Sequence, residues 1–176
     1  LLGISGLSYA GLRFWPESGL TNPCSVGLPD ELVHHPLMKQ IWDGIDATNV
    51  WDCHAHIVGV GGTDSGVWFN PNMDSYWHPI LKIQKNFYMN GGCVDANNID
   101  QSYVDRLVQI SAEMPAGYKS MLFAFDWYHD EHGQADKNHS IFHVPDSYVA
   151  EIAKQHPQHF EWVASIHPYR KDALDA

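Results

Sequence analysis

Apolar and polar positions alternate in two different styles along this chain, and the change falls near residue 50. Upstream, the uncharged stretch LLGISGLSYAGL precedes the first charge, Arg13. It is too short to span a bilayer, which takes about 20 apolar residues. Two readings stand: the remnant of a signal or anchor segment continuing upstream of residue 1, or an N-terminal element packed on the domain. Residues 13–50 carry Pro16, Gly19, Pro23, Gly27 and Pro29, then an apolar-periodic piece from Glu31 to Ile45 broken by Pro36. This predicts an irregular lead-in segment with short helices.

From Val50 onward the pattern is strand and helix in alternation. NVWDCHAHIV predicts a buried strand whose carboxyl end carries His54 and His56. Residues 57–99 are rich in turn residues with aromatics between them, which predicts one long loop of the kind that forms lids and binding surfaces. Asp100 is placed to cap a helix over 101–114 that Pro115 ends. The continuous apolar run SMLFAF, residues 120–125, predicts a parallel strand covered on both faces and delivering Asp126. After a polar loop, Pro145 opens a helix carrying Tyr148, Val149 and Ile152, and FEWVASI then predicts a third strand closing on His167 and Pro168. RKDALDA starts a further helix and stops after about one turn, so the chain reads as truncated there. This order predicts an α/β fold in which strands 50–57, 120–126 and 160–167 are parallel neighbours joined by helical crossovers.

Composition narrows the function classes. The 176 residues are 44% hydrophobic and 18% charged, which is globular, and Lys+Arg 10 against Asp+Glu 21 gives a net charge of -11. That balance argues against a nucleic-acid partner or a polybasic membrane surface. Cys24, Cys53 and Cys93 are too few and too scattered for a disulfide scaffold, and no pair has zinc-ribbon or dithiol spacing. The count leaves the compartment open: periplasmic or membrane-associated if the apolar start belongs to an anchor, otherwise cytoplasmic. Twelve histidines exceed Lys+Arg, and imidazole is both the neutral-pH acid–base and the commonest metal ligand.

Those histidines are sharpest at Asp52-Cys53-His54-Ala55-His56. On a strand, residues two apart share a face, so His54 and His56 project together and can present two imidazoles to one divalent cation, with Asp52 on the same face. WDCHAHIVG resembles the first-strand metal motif of the amidohydrolase superfamily. FEWVASIHPYRKDAL resembles the third-strand region of its amidohydrolase-related branch, which includes aminocarboxymuconate-semialdehyde decarboxylase. The resemblance covers residues 50–176 and implies a TIM-type (β/α)₈ barrel with a mononuclear or binuclear metal centre, usually zinc, at the strand ends. It carries over only His54 and His56 as ligands. The family's other ligands come from later strands, and a full barrel takes about 250 residues. With 176 - 50 = 126 residues after position 50, about the first three β/α units would be present. Residues 1–49 are then the lead-in and 50–176 the amino-terminal part of the barrel, inert alone within a metal-dependent hydrolase of a small organic substrate. Non-hydrolytic decarboxylation and a non-catalytic metal-binding domain are the alternatives.

Other candidates follow from position. Asp126 and His167 sit at strand ends, where barrel enzymes place catalytic residues. Asp126 would orient a ligand histidine or cap the loop; His167 would bond the substrate or add a ligand, or is a structural histidine held by Pro168. Arg170 could grip a substrate carboxylate in two-pronged fashion, or is an exposed loop arginine. The pairs His129/His132 and His139/His143 read as solvated or weakly metal-binding, Cys53 as buried packing, and Trp68, Trp77 and Trp127 as loop anchors.

Overall fold

This computed structural model describes residues 22, 24–62 and 64–175. The apolar stretch 1–12, and with it the signal or anchor reading, lies outside the described residues. The lead-in holds two short helices, α1 (Asp30–Val33) and α2 (Pro36–Ile41), the second opened by Pro36 at its first turn, where a missing N–H costs nothing. A 3-10 turn at Ala47–Asn49 then delivers the chain to strand β1 (Trp51–His56).

Three strands form the main sheet. β1 pairs in parallel with β3 (Lys119–Phe123), and β3 pairs in parallel with β5 (Phe160–Val163), giving the order β1-β3-β5. The expected parallel neighbours are therefore present. A second, antiparallel pair joins β2 (Trp68–Phe69) to β4 (Phe142–His143). Helices α4 (Ile99–Ala112) and α5 (Asp146–Gln155) make the connections into β3 and β5. They bury Val104, Val149, Ile152 and Ala153 against Ile57, Leu122 and Phe160.

Two expectations are corrected here. The described chain is a small α/β fold with an open three-stranded sheet and a separate two-stranded pair, not a TIM-type (β/α)₈ barrel. Barrel closure requires each strand to have two neighbours, whereas β1 and β5 each have one. The SMLFAF strand is also not covered on both faces. Along it Ser120, Leu122 and Ala124 are buried while Lys119, Met121 and Phe123 are half-exposed, so helices cover one face only.

The region between β1 and α4 is more ordered than a loop. It contains β2, a 3-10 turn at Pro71–Asp74, and the 13-residue helix α3 (Pro79–Gly91), which starts on Pro79 and stops at Gly91-Gly92. Leu81, Tyr88 and Met89 on α3 pack on a second apolar cluster of Val58, Phe69 and Met73. The turn after β1 is held by Asp100. Its carboxylate is buried and accepts hydrogen bonds from the Val60 and Gly61 N–H groups and from the Ser65 hydroxyl, rather than capping its own helix. Cys24 and Cys93 form a disulfide that ties the lead-in to the end of α3, a pairing that the cysteine spacing did not suggest. Among the described residues no helix is long and apolar enough to cross a membrane.

Candidate metal centre on the open sheet face

The pairing of β1 with β3 slips by one residue. Asp52 stands opposite Ser120 and Ala55 opposite Leu122, so Cys53 and His54 together face the single residue Met121. Such a bulge re-aims side chains locally. Asp52 stands in register with Ser120 and is exposed. Its carboxylate accepts the His54 N–H at 3.0 Å. Cys53 is exposed rather than buried, and its thiol has only the Trp51 carbonyl at 3.7 Å.

His54 and His56 do converge. Their Nε2 atoms are 3.1 Å apart and the rings meet edge to face, with centroids 4.8 Å apart. The two rings rest on aromatic neighbours: His54 stacks on Phe123 at 5.6 Å, and His56 lies 5.8 Å from both Phe123 and Phe125. Burial, and then the proximity of His54, push the His56 pKa below the usual imidazole value, against a smaller opposing effect of the Phe123 backbone. The lowered value favours the neutral, ligating form. His56 Nδ1 is buried and has no hydrogen-bond partner among the described residues.

This geometry fits two positions of a zinc site. With Zn–N distances of about 2.05 Å, nitrogens 3.1 Å apart subtend about 98°, near the tetrahedral angle. The same separation also suits one imidazole N–H donating to the other ring. Among the described residues no group of three or more His, Cys, Asp or Glu side chains is placed to hold a metal ion, so only two ligands are supplied there.

The other strand-end residues form a separate knot. Asp126 Oδ2 accepts the His167 N–H at 2.9 Å and Arg170 Nη1 at 3.2 Å, and Oδ1 accepts the Trp127 N–H at 2.8 Å. Burial would raise the Asp126 pKa, but the two N–H groups and the guanidinium outweigh it and hold the carboxyl below its usual value. Arg170 is also gripped at 2.9 Å on two nitrogens by Asp172, whose carboxyl is drawn down to about 2. The guanidinium is thus occupied by two carboxylates. The His167 ring sits among Tyr128, His129 and Tyr169. Among the described residues no hydrogen bond or ring contact joins this knot to His54 and His56; the link is Phe125, next to Asp126 in the chain and against His56 in space.

The remaining candidates disperse. His139 bonds Asp136 at 2.6 Å, and buried His129 is set by the Trp127 carbonyl at 2.8 Å. His143 instead stacks on Trp127 at 4.2 Å with its Nδ1 buried and unpartnered, a position its sequence spacing did not reveal. Trp127 also packs on Trp68 at 4.9 Å, as an anchor should, whereas Trp77 is 92% exposed and anchors nothing. A cavity of about 730 Å³ opens between α1, α2 and the end of α4, lined by Leu28, Val33, Met38, Trp42 and Ile110 among others, and none of the candidates lines it. Comparison of the chain with protein-family models, curated proteins and solved structures finds no match.

Proposed function

We propose that the protein is a metal-dependent hydrolase of the amidohydrolase type, acting on a small organic substrate, with His54 and His56 as ligands to a divalent ion, most simply zinc. One observation carries this reading: two imidazole nitrogens converge at 3.1 Å on an uncovered sheet face. An ion held by His54 and His56 with an open position would acidify a bound water toward a pKa of about 7 and would polarise a carbonyl.

The chain's own residues do the rest. Phe123 and Phe125 hold the imidazoles in place and exclude water from one side of them. The Asp52 carboxylate fixes the bulge that turns His54 toward His56. Asp126 acts as a positioning residue, clamping the turn that carries His167 and Arg170. His167 keeps an imidazole available at the strand end, while Arg170 reaches a substrate carboxylate only by leaving Asp126 or Asp172. The Cys24–Cys93 bond supports maturation in an oxidising compartment, in keeping with a periplasmic or membrane-associated protein rather than a cytoplasmic one.

Zinc titration of the purified protein tests the reading. His54→Ala and His56→Ala should each weaken zinc binding by about tenfold to a hundredfold or more, with the far-ultraviolet circular dichroism unchanged. Wild-type affinity retained in both variants refutes it. Cleavage of small amides or esters is not the readout, because a chain that supplies two ligands is expected to be inert alone.

A further inference from the structure

Helix α3 is apolar on two sides. Its inner side, Leu81, Tyr88 and Met89, packs on Phe69 and Met73. Its outer side carries Ile80, Ile83 and Phe87 at helical spacing, and Tyr76 and Trp77 stand immediately before its first turn. These side chains face solvent: Tyr76 is 85% exposed, Trp77 92%, Ile80 80% and Phe87 57%. A single exposed apolar residue is ordinary, but three large ones on one helix side with two exposed aromatics just before it make a patch of the kind that marks an interaction site.

Charge and residue type say what covers it. Residues 75–94 contain no Asp or Glu, although the chain has 21, and they contain Lys82 and Lys85. Lys85 is bound by the Asp74 carboxylate at 2.7 Å, just outside this stretch, while half-exposed Lys82 donates to the Asp74 carbonyl at 3.1 Å and its ammonium lies 4.5 Å over the exposed Tyr76 ring. Trp and Tyr have an apolar body and a polar tip suited to the headgroup level of a bilayer, and a lysine beside them meets anionic headgroups. A second copy of the chain would set the same acid-free face against itself. At about 1.5 Å per residue the 13 residues of α3 extend about 20 Å, short of the about 30 Å hydrocarbon core, so the helix can lie on a bilayer but not cross it.

We propose that the outer face of α3, with Tyr76 and Trp77 at its tip, is a docking surface for a lipid bilayer bearing anionic headgroups. The helix lies in the interface with Trp77, Ile80 and Phe87 among the acyl chain ends and Lys82 at the headgroups. This is independent of the metal centre.

Flotation of the whole chain with phosphatidylcholine vesicles, with and without phosphatidylglycerol, tests the proposal. The wild type should float with the anionic vesicles, and Trp77→Ser/Ile80→Ser should lower the partition coefficient by about tenfold or more. Both side chains are solvent-exposed, so the double variant keeps the fold, which its thermal melt verifies. Residues 1–12 could bind lipid by themselves, so a second measurement isolates the helix: brominated lipid should quench the wild type more than Trp77→Phe. No flotation of the wild type, or equal quenching of wild type and Trp77→Phe whatever the flotation of the double variant, overturns the proposal. So does a concentration-dependent dimer that the double variant abolishes, because the face would then belong between copies.

Discussion

Asp126 is the side chain at the strand ends with the most partners, and its chemistry sets the first expected outcome. Asp126→Asn keeps the shape, removes the charge shared with Arg170 and leaves an amide N–H₂ facing a donor. The loss should be about 1–3 kcal/mol in urea unfolding, with zinc affinity at His54 and His56 unchanged. His143 gives a pH dependence. Burial lowers its pKa, opposed by the Phe125 backbone and by Asp126 and Asp146, and aided by Lys137. A histidine whose folded pKa lies below its unfolded value of about 6.5 contributes stability that is intact above that pH and is lost as pH falls through the folded pKa. The melting temperature should therefore drop between about pH 7 and pH 5, and His143→Phe, which keeps a ring on Trp127, should flatten the drop. The His54–His56 convergence was legible in the sequence because strand periodicity is two. The exposure of Cys53 was not, because nothing in WDCHAH announces a bulge.

At the level of elements, α3 was hidden for the reason that makes it interesting. A helix with apolar residues on both sides contrasts weakly with its polar stripe of Lys82, Asn86 and Asn90, so its aromatics and asparagines read as loop, although Pro79 and Gly91-Gly92 marked its ends. The helix that follows was legible, with bounds two residues off, but Asp100 does not cap it. Its carboxylate instead fills the concave row of N–H groups after β1, and its charge joins burial in pushing the Tyr148 hydroxyl up to about 12. Asp100→Ala should cost about 2–4 kcal/mol and expose the turn to protease cleavage between Gly59 and Gly62, which urea melts and limited proteolysis will measure. The order of the parallel strands came from short apolar runs and crossover lengths. The β2–β4 pair escaped notice because two-residue strands carry no period.

For the molecule as a whole, the disulfide is a long-range covalent constraint, joining residues 69 apart. In the chain-entropy view such a closure stabilises by about 4 kcal/mol, so dithiothreitol or Cys93→Ser should lower the urea midpoint accordingly, and the shift should vanish when reductant is added to the serine variant. The bond also orders events in time. A chain made or exported amino end first presents Cys24, then β1, then Cys93, and only 26 residues later the first residue of β3. At about 5–20 residues per second that interval is about one to five seconds. During it β1 has no strand to pair with, while both sulfurs are already available, so the loop can be closed around His54 and His56 before any sheet exists to hold them.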